Sequence, residues 1–94
     1  MSPNRYAKKR DAVEREIFAV LRQCGFSVEP MDTPVDAFVS FRGRCWPVEI
    51  KTGKKKLNEN QKAFVERWRG PKLVVLRDEH EAIDWACQVA TEAA

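Results

Sequence analysis

The chain has 94 residues, of which 44% are hydrophobic and 33% are charged, and its formal net charge at pH 7 is +3. This length predicts a single domain over residues 1–94 with one thin core, and the mild positive charge permits an anionic partner without requiring one. No apolar run approaches the roughly 18 residues of a membrane-spanning helix, and the basic N-terminus lacks the apolar region of a secretory signal. The three cysteines have neither disulfide-framework nor zinc-site spacing, so we expect a cytoplasmic protein with no membrane segment.

The first predicted element is a helix from about Tyr6 to Cys24, preceded by a loose tail at residues 1–5. Apolar residues share one face of this helix at helical spacing, and Gly25 provides a natural stop after it. We expect Cys24, at the end of the apolar face, to serve as a small core residue. A short strand around Phe26 to Val28 follows, and then a loop that contains two prolines.

The next two strands, Val35 to Phe41 and Cys45 to Lys51, alternate apolar and polar residues and form a predicted hairpin. The segment Arg42-Gly43-Arg44 between them holds a two-residue turn, which is either Arg42-Gly43 or Gly43-Arg44. In both registers the apolar side chains of the two strands collect on one face. A three-residue turn would mix the faces and bury charge, so the hydrophobic pattern favours the two-residue turns.

The polar face of this hairpin carries charged residues close together. The turn Arg42-Gly43 sets Asp36 opposite Glu49, whereas the turn Gly43-Arg44 sets Asp36 opposite Lys51. In either register all three side chains emerge on the same face of the sheet, because cross-strand neighbours point the same way.

The second half of the chain predicts a helix, a strand and a further helix. Asn58 and Gln61 have the spacing of a capping box at the start of a helix that ends before Gly70-Pro71. Leu73 to Leu76 is continuously apolar, which is typical of a buried strand with both faces covered.

A second capping box, formed by Asp78 and Glu81, begins the last predicted helix. The residues that we expect on its inward face are Ile83, Ala86, Cys87 and Ala90. The whole order is αβββαβα, and the strand–helix–strand unit after residue 45 predicts a right-handed parallel crossover. The predicted fold is therefore a small mixed β-sheet flanked by helices, in the α/β class.

The acidic residues of the hairpin suggest a metal site. Two carboxylates held side by side repel each other, so one of them takes a proton unless a cation removes the conflict. Mg²⁺ prefers oxygen ligands and is often held by one or two carboxylates and a substrate phosphate. Lys51 would then orient or deprotonate a water, or stabilise developing negative charge. The alternative for Glu49 and Lys51 is a surface ion pair of little energetic value.

An α-helix rotates by about 100° per residue, and this rotation places a third acid, Glu14, within the apolar arc of the first helix. A carboxylate in that position needs a partner or must reach the edge of the core. Reaching the metal site is one solution, and a salt bridge to Lys51 or Arg10 is another.

These residues, in this order along the chain, resemble the PD-(D/E)XK nucleases. Within that superfamily the chain is most similar to the virus-type replication-repair nuclease (VRR-NUC) domains, which are related to Holliday-junction resolvases. Val35 stands where the family has a proline before its aspartate. The residues and segments that carry the resemblance are Arg10–Glu14, Gly25–Val28, Val35-Asp36-Ala37, the turn Arg42-Gly43-Arg44, Glu49-Ile50-Lys51, Leu57–Gln61 and Trp68-Arg69-Gly70.

The resemblance implies a restriction-endonuclease-like core and a DNA endonuclease that depends on Mg²⁺ or Mn²⁺. It implies that Asp36, Glu49 and the backbone carbonyl of Ile50 bind the metal, and that Glu14 binds it directly or through water. Lys51 would be the catalytic lysine. Gln61 would position water or Lys51, although its place also fits a simple helix cap.

The resemblance also implies a role in DNA repair. If a phage encodes the chain, the expected location is the cytoplasm of the host cell.

The expected substrate is branched DNA such as a four-way junction, because so small a domain has little surface for reading sequence. The basic residues Arg10, Lys54, Lys55 and Lys56 are candidates for phosphate contacts, although a lysine run is more often a solvated loop. We expect a homodimer, since two strands need two sites and three tryptophans supply more apolar surface than one core needs. The alternative function is a nucleic-acid-binding or assembly module on the same fold that performs no catalysis.

Overall fold

The computed structural model describes the backbone of residues 5–93 and the side chains of residues 12–92. The predicted tail at residues 1–5 lies outside the described residues except for Arg5, where the first helix begins. The elements within the described range are α1 (Arg5–Gln23), β1 (Ser27–Pro30), β2 (Ala37–Phe41), β3 (Arg44–Ile50), α2 (Glu59–Arg67), β4 (Val74–Leu76) and α3 (Glu79–Ala93).

The strands of residues 5–93 form one mixed sheet in the order β1-β2-β3-β4. β1 and β2 are antiparallel, β2 and β3 are antiparallel, and β3 and β4 are parallel, as the crossover through α2 requires. The predicted small α/β fold with a mixed sheet and flanking helices is therefore confirmed. No helix in the described part of the chain is both long enough and apolar enough to cross a bilayer.

The turn between β2 and β3 consists of Arg42 and Gly43, since Phe41 pairs with Arg44. Both turn residues have positive φ, 51° and 82°, which is the backbone of a mirror-image hairpin turn whose twist matches that of the strands. Ala37 pairs with Val48, so the first of the two predicted registers is the observed one.

The main core lies on one face of the sheet, under α1 and α3. Ala37, Val39 and Val48 point into it from the hairpin with no exposed surface, as the alternation of the two strands predicted. Trp46 meets the ring of Trp85 from α3 edge-on at 5.3 Å, and Phe26 lies 5.3 Å from the same ring. This face is therefore closed by large aromatic side chains rather than by aliphatic residues alone.

The opposite face of the sheet is covered in part by α2. Phe38 alternates with the core residues of β2 and so points away from the main core. Its ring lies 5.8 Å from Trp68, which stacks on Phe64 of α2 at 5.2 Å. The Trp68 indole is further fixed by donating its N–H to the carbonyl of Pro71 at 2.6 Å. The sheet thus lies between two helical layers, and α2 is brought onto the face that carries Asp36 and Glu49.

The inward face of α3 differs from the predicted one by a single position along the helix. The buried residues are Ala82, Ala86 and Val89, whereas Ile83 is 41% exposed. The half-buried Trp85 packs against the aromatic core and fixes the rotation of the helix about its axis. The predicted stripe shares only Ala86 with the observed one.

Cys24 and Cys87 are exposed, so the prediction that they serve as core residues was wrong. Cys24 is the first residue after α1, and although its N–H still donates to the Val20 carbonyl at 3.0 Å, its side chain is exposed. Cys87 follows Ala86 on α3 and points away from the sheet, because the inward face is rotated by one residue.

The apolar run 73–76 was predicted to be a strand covered on both faces, and this was also wrong. β4 is a three-residue edge strand in which only Leu76 is buried, while Val74 and Val75 are half-buried. Its pairing with β3 begins at Val48, immediately after Pro47. Because proline has no N–H to donate, the parallel ladder starts only beyond it.

Both α2 and α3 begin with a side-chain cap, but only the cap of α2 has the predicted form. Asn58 and Gln61 form a complete capping box at α2. At α3 the Glu81 N–H donates to the Asp78 carboxylate at 2.9 Å, but the Glu81 carboxylate accepts from the Arg77 N–H at 2.8 Å rather than from Asp78. The second box is therefore shifted by one residue at its N-terminal end.

Candidate functional site

Most of the candidate site residues lie together at one end of the hairpin. Asp36 lies immediately before β2, and Glu49 and Ile50 end β3, so the hairpin register brings both strand ends together. This end of the hairpin lies between α1 on one side and the start of α2 on the other. A cavity of about 410 Å³ lies there, and its lining residues are Glu14, Met31, Asp32, Pro34, Asp36, Glu49, Ile50, Lys51, Thr52, Lys55, Asn58 and Gln61.

Asp36 and Glu49 are fixed by hydrogen bonds between each carboxylate and the backbone of the other strand. The Asp36 N–H donates to Glu49 Oε1 at 3.2 Å, and the Ile50 N–H donates to Asp36 Oδ2 at 2.8 Å. The two side chains are 8% and 3% exposed. The reciprocal bonds hold two acids side by side in a buried position, where a carboxylate without hydrogen bonds would be costly.

The second oxygen of Glu49 is contacted by an amide and an amine. Gln61 Nε2 donates to Glu49 Oε2. Lys51 Nζ lies 3.8 Å from the same oxygen, and the Lys51 side chain is only 14% exposed. The ion pair is therefore part of the buried cluster, and the alternative of a surface pair of little value does not describe it.

Glu49 holds its proton more tightly than an ordinary glutamate. Burial raises its pKa, and the nearby Asp36 carboxylate raises it further, while Lys51 opposes the shift; the pKa of Glu49 reaches about 7 from an ordinary value of 4.5. Repulsion between adjacent carboxylates was predicted from the hairpin alone, and the structure adds desolvation as the larger cause.

Gln61 forms the predicted helix cap and also contacts the acid cluster, where its partner is Glu49. Its Oε1 accepts the Asn58 N–H at 2.9 Å and its backbone N–H donates to Asn58 Oδ1 at 2.9 Å, which completes the cap. The amide nitrogen that remains is directed to Glu49. The start of α2 and the acid cluster are consequently joined by a single side chain.

Glu14 and Ile50 border the cavity in different ways. Glu14 is half-buried and faces the cavity from α1. The side chain of Ile50 is 1% exposed and belongs to the main core, so any contact that Ile50 makes with a ligand in the cavity is through its backbone. Both residues thus line the cavity, Glu14 with its side chain and Ile50 with its backbone.

The donor set suits a hard divalent cation that keeps several waters. Asp36 and Glu49 present carboxylate oxygens at the cavity, and such oxygens are the ligands that Mg²⁺ prefers. Among the described side chains, no group of three or more His, Cys, Asp or Glu is arranged to hold a metal ion. The fit is therefore to an ion bound by two protein carboxylates with water and substrate oxygens, not to a closed protein cage.

The basic candidates do not all lie at the cavity. Lys55 lines it, whereas the exposed Lys54 and Lys56 do not. The side chain of Arg10 lies outside the described residues. The lysine run is thus divided by the structure into one residue at the site and two beside it.

Sequence reasoning missed the part of the cavity wall that comes from the loop between β1 and β2. Met31, Asp32 and Pro34 line the cavity, and the loop is closed at its base by the Met31 N–H, which donates to the Asp36 carbonyl at 2.8 Å. The two prolines identified a loop, but no pattern in it indicated that it folds back beside Asp36. Thr52, the first loop residue after Lys51, was missed as well.

Comparison of the chain with protein-family models, with curated proteins and with solved structures finds no significant match in any of the three. The likeness to PD-(D/E)XK nucleases therefore depends on the quoted residues and on the site they form.

The raised pKa of Glu49 predicts a particular pH dependence of stability. Between pH 4.5 and about 7 the folded protein keeps a proton on Glu49 that the unfolded chain has lost, so the stabilisation is complete below pH 4.5 and disappears as the pH rises to about 7. In a chelating buffer, the free energy of unfolding should fall over this window by on the order of 1–3 kcal/mol more in wild type than in Glu49→Gln. Urea titrations at pH 5, 6, 7 and 8 measure it.

The matched control is Glu66→Gln, which changes an exposed glutamate on α2. The free energy of unfolding of this variant should depend on pH as it does in wild type. Equal slopes for wild type and Glu49→Gln would show that Glu49 is not the group responsible.

Proposed function

We propose that the protein is a divalent-metal-dependent DNA endonuclease of the PD-(D/E)XK type that hydrolyses phosphodiester bonds in branched DNA. The observation that carries the proposal is the buried cluster in which Asp36, Glu49 and Lys51 meet at one cavity. A stable fold has little reason to bury two adjacent carboxylates, since an apolar pair would cost less. Perturbed titration in a cavity is typical of a functional site.

The metal would be held by the carboxylates of Asp36 and Glu49, with the carbonyl of Ile50 and, directly or through water, Glu14. A bound Mg²⁺ or Mn²⁺ supplies Lewis-acid stabilisation of charge on the phosphate and makes a water more acidic. Binding would also favour the ionised form of Glu49, because a cation offsets the repulsion from Asp36.

The side chains around the acids have separate roles in this proposal. Lys51 places a cation within 3.8 Å of Glu49 Oε2 and stabilises negative charge that develops on the scissile phosphate. Gln61 fixes the carboxylate plane of Glu49 through its amide, so that the acid pair is preorganised before substrate arrives.

The size of the domain supports recognition of DNA shape over recognition of sequence. The described residues form three helices and one four-stranded sheet, with no additional helix or strand that could serve as a separate DNA-reading element. We therefore propose four-way junctions and related branched DNA as substrates. We also propose that the fold is a restriction-endonuclease-like core. DNA repair in the cytoplasm, or in the host-cell cytoplasm for a phage protein, is the corresponding setting.

The alternative remains a module that binds nucleic acid without cutting it. It is distinguished by a single assay: labelled duplex, flap, splayed-arm and four-way-junction DNAs are incubated with Mg²⁺, Mn²⁺ or EDTA. Cleavage with metal and none in EDTA supports the nuclease, whereas binding without cleavage of any substrate supports the module.

The first prediction for this function is loss of cleavage in Asp36→Asn, Glu49→Gln and Lys51→Ala. Each change removes a metal ligand or the catalytic cation, so the rate should fall by about 10²-fold or more while the fold is retained. Single-turnover cleavage of a labelled junction measures the rate, and circular dichroism checks the fold.

Lys62→Ala is the matched control for Lys51→Ala. Lys62 lies on α2 with a side chain that is 59% exposed, forms an ion pair with Glu59 at 3.5 Å and is not among the residues that line the cavity. It should leave the rate unchanged. Full activity of Lys51→Ala, or activity in EDTA, would contradict the assignment.

The second prediction separates the three loop lysines. Because Lys55 lines the cavity and Lys54 and Lys56 do not, Lys55→Ala should weaken DNA binding most. It should lower the slope of log affinity against log salt concentration by about one, as loss of one phosphate contact does. Fluorescence anisotropy at several salt concentrations measures this. If all three single changes weaken binding equally and slightly, and the salt slopes are unchanged, the three lysines belong to an ordinary solvated loop that does not contact phosphate.

We also propose a homodimer as the working unit, since symmetric cleavage of a junction needs two sites related by a two-fold axis. The tryptophans no longer support it: Trp46 is 5% exposed, Trp85 packs against the core, and Trp68 stacks on Phe64. Light scattering at micromolar concentration, with and without DNA, should give twice the mass of the chain. A monomer in both conditions would favour nicking or flap cutting by one site.

A further inference from the structure

The loop that carries the lysines begins directly at the acid cluster. β3 ends at Ile50, and the Lys51 N–H donates to the Leu76 carbonyl at 3.2 Å, which extends the pairing with β4 by one bond. Beyond that point the chain crosses to α2 in irregular backbone. Gly53 turns it with a φ of 62°, and the Lys55 N–H donates weakly to the Thr52 carbonyl at 3.4 Å. This local bond alone gives Lys55 little reason to stay at the cavity.

Arg77 provides a second, long-range attachment for this loop. Its guanidinium Nη1 donates to the Gly53 carbonyl at 2.8 Å, across 24 residues of sequence. Arg77 is itself fixed, because its backbone N–H donates to Glu81 at the start of α3. The turn at Gly53 is thereby tied to the junction between β4 and α3, which packs on the sheet.

Arg77 does not lie at the acid cluster. It borders a different cavity of about 380 Å³ between β4 and α3, and it is absent from the residues that line the cavity of Asp36 and Glu49. A direct contact with the reacting phosphate is therefore not the role that its position indicates. The position suits a residue that acts on the site through the loop.

We infer that Arg77 is a positioning residue that holds the lysine loop so that Lys55 stays at the cavity and meets the DNA backbone there. This inference rests on the proposed function. When the tie is removed, the loop samples other conformations and Lys55 occupies its place for a smaller fraction of the time. The loss falls on substrate binding, so KM rises while kcat changes little.

The test is a double-mutant cycle with Lys55→Ala and Arg77→Met, which keeps the aliphatic stem and removes the guanidinium donors of the side chain. Binding of a labelled four-way junction is measured by anisotropy with Ca²⁺ in place of Mg²⁺, over a range of salt concentrations. Arg77→Met alone should weaken binding about 3- to 10-fold and lower the salt slope by about one. In the Lys55→Ala background it should cause no further loss, because the two residues act as one unit.

Arg69→Met is the matched control. The Arg69 guanidinium also donates to a carbonyl, that of Glu66 at 3.1 Å, but this bond is local to the end of α2. It should therefore show no coupling to Lys55. Losses from Arg77→Met and Lys55→Ala that simply add would show that Arg77 touches phosphate itself, and would overturn the inference.

A second measurement needs no DNA. Hydrogen–deuterium exchange of peptides that span residues 52–57 should be faster in Arg77→Met, or in Arg77→Gln if the first variant is unstable, and unchanged in Arg69→Met. Unchanged exchange in the loop would overturn the inference whatever the DNA results. If wild type binds and cuts no DNA, the nuclease proposal fails, and faster loop exchange would then still support Arg77 as the attachment of the loop while removing the role of Lys55 in binding.

Discussion

The site depends on one constraint, which is that two carboxylates on adjacent strands are buried together. Water no longer stabilises them there, so the protein must supply the hydrogen bonds. Asp36 and Glu49 obtain them from the backbone N–H groups at the ends of each other's strands. These donors are in place only in the register set by the Arg42-Gly43 turn. The geometry of a surface turn is therefore transmitted to the acid pair through a ladder of only a few residues.

The second layer of the molecule depends on the same pair. α2 reaches the sheet through an aromatic contact at Phe38, but its N-terminal end is attached by the side chain of Gln61, which serves the cap with its oxygen and Glu49 with its nitrogen. The helix start and the acid pair are thus joined through one side chain. This arrangement explains why a short helix of nine residues holds a definite position.

The sequence predicted most reliably where two independent patterns agreed. Alternation and turn chemistry together placed Asp36, Glu49 and Lys51 on one face, and a cap signal placed Gln61 at a helix start. Prediction failed where one weak pattern stood alone. On α3, small residues around Ala86 fit two neighbouring stripes, and only the packing of Trp85 against distant aromatic rings decides between them. An apolar run of four residues does not distinguish an edge strand from a central one, since coverage is a property of the whole sheet. The cavity wall at Met31 depends on a loop path that local patterns do not encode.

The short edge strand β4 bears on how the protein behaves at high concentration. The outer side of an edge strand carries backbone N–H and C=O groups that are not paired within the sheet. A strand of another molecule can pair with such groups, and this pairing leads to aggregation. The pairing length is limited to Val74–Leu76, because Pro47 delays the start of the ladder and α3 begins soon after it. Lys72 and Arg77 flank this segment with like charge, and a strand from another molecule aligned in parallel would set lysine against lysine. Pro47 in the neighbouring strand therefore limits the length of ordered edge with which another chain could pair.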